Sequence, residues 1–251
     1  MRRASDWNIA IGQWLFRYRN ALFPIIFTLS PLILLRPRII GNPTIDHALV
    51  MAGAVIALLG EGVRLLTIGL DYIDRGGKNK QVWASRLVQN GMYAHTRNPM
   101  YLGNILIAVG MCMASGSPAA YFFLIPLFIF GYQAIMVAEE AYLRQAFGAE
   151  YAAYCSRVPR LLPSFNGLRK TVANLGYNWR RAIRKDLGTI TGLLAGLICW
   201  PVWRVYFLEG AGAAKARAPR ALGWVLVVLA AYALLHQLKK RRLLFYLPAD
   251  L

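Results

Sequence analysis

Gly91-Met92-Tyr93-Ala94-His95-Thr96-Arg97-Asn98-Pro99-Met100-Tyr101-Leu102-Gly103 opens an apolar block, and Glu139-Glu140 follows one hydrophobic hairpin later. Polar, charged and ring-locked residues at the mouth of a membrane-length segment are costly unless they hold something. Pro99 disfavours helix at Asn98 and starts one well at the next position. The stretch therefore predicts a loop that becomes a helix at Pro99. The first turn of such a helix offers unpaired N–H groups and a partial positive charge, which suit a carboxylate. Arg97 can hold a carboxylate with two hydrogen bonds. Tyr93 and Tyr101 add ring faces and hydroxyls. The same residue types also suit the belt at a membrane interface, where Tyr and Arg are common.

Working outward, the 251 residues are 57% hydrophobic with a mean hydropathy of +0.41. Soluble domains run about 45–50% apolar. The excess collects in six blocks near membrane length, about 21–35, 47–72, 100–115, 119–138, 187–208 and 221–238. The fold class this predicts is an all-α polytopic membrane protein with about six transmembrane helices. Pro24 and Pro31 predict a kinked or tilted first helix.

The net charge is +18. In a soluble chain that would suggest nucleic acid. Here Lys and Arg lie between the apolar blocks, Arg36 and Arg38 among them, where they face anionic lipid and set topology. With the N-terminus inside, 22 of the 29 fall on the cytoplasmic side: four before residue 21, five in 71–99, nine in 138–186 and four at 239–242. Both termini are then cytoplasmic, and the segments 71–99 and 139–186 share that side. No nucleic-acid partner is expected.

Cys112, Cys155 and Cys199 lack metal or redox spacing, and His47, His95 and His236 are scattered, so no metal site is expected. Asp71 and Asp74 read as solvated. Met1–Asn20 holds four Arg and two Trp with no small-residue cleavage site after the first apolar block, so no cleaved signal is expected. The organisation read from these features is an N-terminal segment and first membrane helix (1–45), a core (46–165), a basic linker (166–186) and a C-terminal transmembrane hairpin (187–251). The linker interleaves Leu168, Val172, Leu175, Trp179 and Ile183 with cations, which fits an interfacial amphipathic helix or a plain connector. Gly210–Pro219 reads as a flexible loop.

Glu139 and Glu140 are predicted to end the fourth helix, where two acids oppose the macrodipole and a cationic ligand would relieve them. Tyr151, Tyr154 and Arg157 recur at three-residue spacing on one helix face. They can wall a cofactor, grip an acidic group, or pack on the membrane. Glu61 and Arg64 are placed to pair inside the second helix.

From about Gly60 to Pro163 the chain resembles the isoprenylcysteine carboxyl methyltransferase and phospholipid methyltransferase superfamily. The resemblance rests on Arg97-Asn98-Pro99-Met100-Tyr101-Leu102-Gly103, Glu139-Glu140 with Leu143, Phe147-Gly148, Tyr151, Tyr154, Arg157-Val158-Pro159 and Leu162-Pro163. It implies an S-adenosylmethionine-dependent methyltransferase whose acceptor has a greasy tail in the bilayer: a membrane lipid, a lipidated substrate or a small hydrophobic one. By position, Tyr93, Asn98, Pro99, Tyr101, Leu102, Gly103, Glu139, Glu140, Tyr151 and Tyr154 would line the cofactor pocket. Arg157, Glu140 and Arg97 would carry the catalytic roles, with Arg157 toward a substrate carboxylate. Two positions depart from the pattern. Asn98 stands where many relatives have His, and Gln133-Ala-Ile-Met-Val-Ala precedes the Glu pair where many have an Arg. Rival readings are an NADPH-dependent sterol reductase-like enzyme and a non-catalytic lipid-binding or transport protein. The bacterial inner membrane is the expected location.

Overall fold

A computed structural model describes residues 6–33, 41–71, 82–174 and 176–241. Arg36, Arg38, Asp74 and Leu175 lie outside them. The described residues form helices and loops without strands: α1 (Asp6–Ile33), α2 (Pro43–Leu70), α3 (Pro99–Ser115), α4 (Ile125–Arg157), α5 (Leu168–Asn174), α6 (Trp179–Glu209) and α7 (Ala211–Lys240). A 3-10 turn covers Gly91–Ala94, and a π turn, Ala120–Leu124, leads into α4. The all-α membrane fold is as the apolar blocks predict.

Local signals explain the boundaries. The Asn42 side chain accepts from the Thr44 and Ile45 amides, and Pro43 follows in the first turn of α2. Asn178 accepts from the Arg181 amide at the start of α6. α3 starts at Pro99, as predicted, and ends at Gly116, whose φ of 65° only glycine adopts cheaply.

Four described helices are long and apolar enough to cross a bilayer: Pro43–Leu70, Ala120–Arg157, Trp179–Glu209 and Ala211–Lys240. This is fewer than the six blocks read from hydropathy. α3 has 17 residues, about 26 Å of helix against a hydrocarbon core of about 30 Å. α1 begins well before residue 21 and carries Arg17 and Arg19 in its middle.

Two further expectations change. Gly210–Pro219 is helix rather than loop: Gly210 (φ 90°) makes the only break, and α7 starts at the next residue. Ala, Lys and Arg dominate that stretch and are strong helix formers. The basic linker is only partly an interfacial helix. α5 takes up Leu168–Asn174, and Trp179 already belongs to α6.

α2 and α3 pack most intimately. A Cβ at Gly60 would lie 2.7 Å from the Gly103 carbonyl oxygen, and one at Gly103 would lie 2.7 Å from that of Gly60. Gly53 and Gly110 repeat this contact two turns along. Small residues let membrane helices approach without a hydrophobic drive. Gly60→Leu is therefore expected to force the pair apart and cost about 1–3 kcal/mol or more, read as a lower melting temperature in detergent.

α1 packs on α4 through Phe23 and Phe27 against Phe128. α6 packs on α2, α3 and α7. Its start is docked on the end of α2, where Arg181 donates to the Ile68 and Gly69 carbonyls at 2.8 and 2.9 Å. A cation at a helix C-terminus satisfies orphan carbonyls and favours the dipole.

Candidate active site

The two motif loops are joined through the backbone. The Arg97 amide donates to the Pro159 carbonyl at 2.9 Å, and the Ser164 amide to the His95 carbonyl at 2.9 Å. Thr96 Oγ1 donates to the Leu161 carbonyl at 3.0 Å. The buried His95 ring bridges the Ser164 carbonyl and Thr171 Oγ1 of α5, both at 2.8 Å. Residues 62 to 76 positions apart thus hold the start of α3 in place.

Against that start lies the acidic pair. α4 does not end at Glu139-Glu140 but runs on to Arg157, with non-helical geometry only at Gly148 (φ 45°). The expected conflict with the macrodipole is absent, because that charge is concentrated in the last turn. The cost of the two acids is burial, and the protein's own groups meet it. Tyr101 donates to Glu139 at 2.6 Å, and Arg19 donates to the Tyr101 hydroxyl at 2.8 Å while lying 3.6 Å from Glu139. The Arg19 guanidinium also covers the Phe16 ring at 3.9 Å. Glu140 accepts from Asn98 at 3.3 Å and from Arg160 at 3.0 Å, with Arg144 at 3.6 Å and Arg97 at 3.9 Å.

A cavity of about 1600 Å³ opens at this point, between α1 on one side and the α6–α7 hairpin on the other. Tyr93, Arg97, Asn98, Tyr101 and Glu139 are on its wall at one end. Pro99, Leu102, Gly103, Glu140, Tyr151, Tyr154 and Arg157 stand off that wall. Gly103 serves the α2–α3 contact, and Leu102 is core. Glu140 is held behind Asn98. Tyr151 and Tyr154 form a small separate core with Val158, and Tyr154 donates to the Tyr93 carbonyl at 2.7 Å. Arg157 is exposed and donates to the Ala153 carbonyl and Gln89 Oε1.

Arg97 is the cation best placed to receive an anion. Its Nε is buried and has no hydrogen-bond partner among the described residues. Burial alone would lower its pKa, but the Glu140 carboxylate, with Cys155 and Tyr151, raises it above the usual arginine value. Arg97 therefore stays charged at any working pH.

Three contributors lie outside the positions that carry the family resemblance. Arg19 of α1 reaches the Glu139 end of the site. Arg160 donates to Gln133 at 3.1 Å as well as to Glu140, so a guanidinium occupies the region where the Gln133 segment lacks one. Asp186 of α6, 1% exposed, grips Arg64 of α2 with both carboxylate oxygens. Asn104 and Thr189 complete the Arg64 shell, and Glu61 lies 3.7 Å away. The Glu61–Arg64 pair expected from spacing is thus one edge of a larger cluster. Arg19 has one signal in the sequence: Phe16, Arg19, Asn20 and Phe23 share a helix face.

Fold and site together define an integral-membrane protein with a polar pocket at one end of its helices, closed by a tyrosine-bearing helix start and an acidic helix. The chain belongs to the isoprenylcysteine carboxyl methyltransferase and phospholipid methyltransferase superfamily. Residues 49–150 match the phospholipid methyltransferase family model. The cobalt-zinc-cadmium resistance protein CzcN of Cupriavidus metallidurans is 30% identical over 159 residues, covering 61% of this chain and 68% of that one. A protein-S-isoprenylcysteine O-methyltransferase of Schizosaccharomyces pombe is 38% identical over 78 residues (31% of this chain, 33% of the relative). Protein-S-isoprenylcysteine O-methyltransferase B of Arabidopsis thaliana is 31% identical over 118 residues (45% and 59%). The chain thus spans a third of one O-methyltransferase and about three fifths of the other. No solved structure matches it.

Proposed function

We propose that this chain is a methyltransferase that uses S-adenosylmethionine and modifies the polar end of a lipidic or otherwise hydrophobic acceptor. One observation carries the reading. Asn98–Glu140 and Tyr101–Glu139 lock the start of α3 to α4 at the polar end of a cavity whose deeper walls are apolar. The residues fit the donor. The partnerless Arg97 Nε suits its carboxylate, and the Glu139 carboxylate suits a cation.

S-adenosylmethionine supplies a methyl group on a positively charged sulfur, ready for in-line displacement. The chain's own work is alignment and exclusion of water, worth about 7–11 kcal/mol in favourable cases. Arg97 would anchor one end, Tyr101 and Glu139 would fix the other, and Arg19 would hold Tyr101 and Glu139 in register. A carboxylate or thiolate acceptor needs no base. An amine acceptor must lose a proton, for which Glu139 borders the cavity. Arg157 would act from outside this cavity, as a support for the Gln89 loop. Residues 46–165 form the catalytic core in this reading. The excess of Lys and Arg supports a cytoplasmic location for the motif loops, in a bacterial inner membrane.

Crosslinking of tritiated S-adenosylmethionine to the purified chain tests the cofactor, with NADPH as the competing ligand. Labelling that S-adenosylmethionine displaces and NADPH does not is expected; the reverse would transfer the chain to reductase chemistry. Mass spectrometry of lipids and small thiols from cells with and without the chain should show a product heavier by one methyl group. Arg19→Leu is expected to cost less than the roughly 3–5 kcal/mol of a fully buried pair, since its pair is partly solvated and Tyr101 still donates to Glu139. It should lower methyl transfer about tenfold through misplaced Tyr101 and Glu139, equivalent to about 1.4 kcal/mol. Parallel melting curves and initial rates check both.

A further inference from the structure

The cavity is longer than a single lipid leaflet. On α6 its wall begins at Lys185 and ends at Tyr206. Those 21 steps make about 31 Å at 1.5 Å per residue, the thickness of a whole hydrocarbon core. Its polar end gathers Arg19, Arg64, Arg97 and Lys185 against Glu139 and Asp186, an excess of positive charge. Beyond that end the wall turns apolar and aromatic, through Phe23, Phe27, Trp200 and Trp203. The buried Trp203 indole N–H has no hydrogen-bond partner among the described residues.

Two glycines mark the track. Gly188 and Gly192 lie one turn apart on the α6 wall, and a Cβ added to either meets nothing within 4 Å. Neither is needed for helix packing or for a positive φ. Each still weakens the helix by about 1 kcal/mol relative to alanine. What their missing side chains provide is open width along the cavity. Gly196, a further turn along, faces the flexible end of Met111, which also borders the space.

We infer that the α6–α7 hairpin, which lies outside the family-matched residues, forms a full-depth track for one apolar chain longer than a leaflet, with an anionic group at the cationic end that Arg19, Arg64, Arg97 and Lys185 line. The acceptor class is a single-chain lipid about 30 Å long when extended, polyprenyl or very-long-chain acyl, rather than an ordinary two-chain phospholipid. This rests on the proposed function, since the anionic end is placed beside the methyl-transfer site.

The test uses the full chain in nanodiscs and four probes, each a monophosphate with a diazirine at the chain terminus. Two are polyprenyl and two are saturated, each type in one length that spans a leaflet and one that spans the bilayer. The bilayer-length probes should saturate labelling at a concentration at least tenfold lower than their short partners. Their chain ends should label α6–α7 near Tyr206 and Ala218. The stronger of the two long probes identifies the chain type. Gly192→Leu should abolish that terminal labelling and weaken the long probe at least tenfold, while binding of tritiated S-adenosylmethionine is unchanged. Leu222→Trp, on the α7 wall, should act in the same direction. Equal saturation by short and long probes, or labelling indifferent to both substitutions, overturns the inference. Loss of S-adenosylmethionine binding in the unsubstituted chain would instead overturn the cofactor assignment and leave the track standing.

Discussion

Asp186→Ala should be the most destabilising single substitution in this chain. Asp186 and Arg64 are 1% and 4% exposed, and their side chains meet in a two-pronged ion pair between α6 and α2. Removing the carboxylate leaves a buried guanidinium with only Asn104, Thr189 and a more distant Glu61. Breaking a buried pair from one side costs about 3–5 kcal/mol, because the remaining charge is uncompensated. The start of α6 should then loosen from α2, although Arg181 still grips the Ile68 and Gly69 carbonyls. A melting curve in detergent reads the loss, and cysteine crosslinking between α2 and α6 reads the separation. Asp186→Leu combined with Arg64→Leu should recover most of the stability, since replacing both charges by apolar groups is often neutral. If the double variant is no better than the single one, the cluster is not an electrostatic clamp.

Arg97→Ala should have the largest effect on function. The guanidinium is the wall cation with a buried donor still open. Its folded pKa lies above the ordinary arginine value. A cation with a raised pKa holds its charge, and any stability linked to it, at every pH below that value. No loss is expected until strongly alkaline pH. Truncating one side of a buried charged contact costs about 2–5 kcal/mol of binding. S-adenosylmethionine affinity should therefore fall by roughly 30-fold or more, measured by equilibrium binding of the tritiated compound. Arg97→Lys should recover part of it, because an ammonium keeps the charge and loses the two-pronged geometry. The backbone bond from the Arg97 amide to Pro159 survives both changes. A stability loss as large as that of Asp186→Ala would count against an anchoring role.

Much of this fold could be read from the residues alone. The helix start at Pro99, the break at Gly116 and the membrane helices are local matters of φ preference and apolar run length. The Glu139-Glu140 pair and the Arg97-to-Gly103 stretch can be grouped from their order along the chain, and they touch through Asn98–Glu140 and Tyr101–Glu139. α4 runs past the end that hydropathy predicts, because hydropathy falls at Glu139 while helix propensity does not; Ala, Leu, Arg, Gln and Glu carry the helix past it. The stretch 210–219 differs from its predicted loop for a similar reason: a run of strong helix formers outweighs its two glycines. The resemblance puts Gly103 in a pocket, whereas its missing Cβ serves the α2–α3 contact, a role that depends on Gly60 more than 40 residues away.

Composition, Lys and Arg placement and one ordered motif are enough to specify a helical membrane protein and the superfamily to which it belongs, since each follows from short-range chemistry and from solvent. The identity of the cations around the acidic pair is a different kind of fact. Arg19 reaches Tyr101 across 82 positions and Arg160 reaches Glu140 across 20, just as Asp186 reaches Arg64 across 122. A buried charge needs a partner of opposite sign within about 4 Å, but the need names no residue. Only the packing of α1, α6 and the loop after α4 decides which side chain arrives.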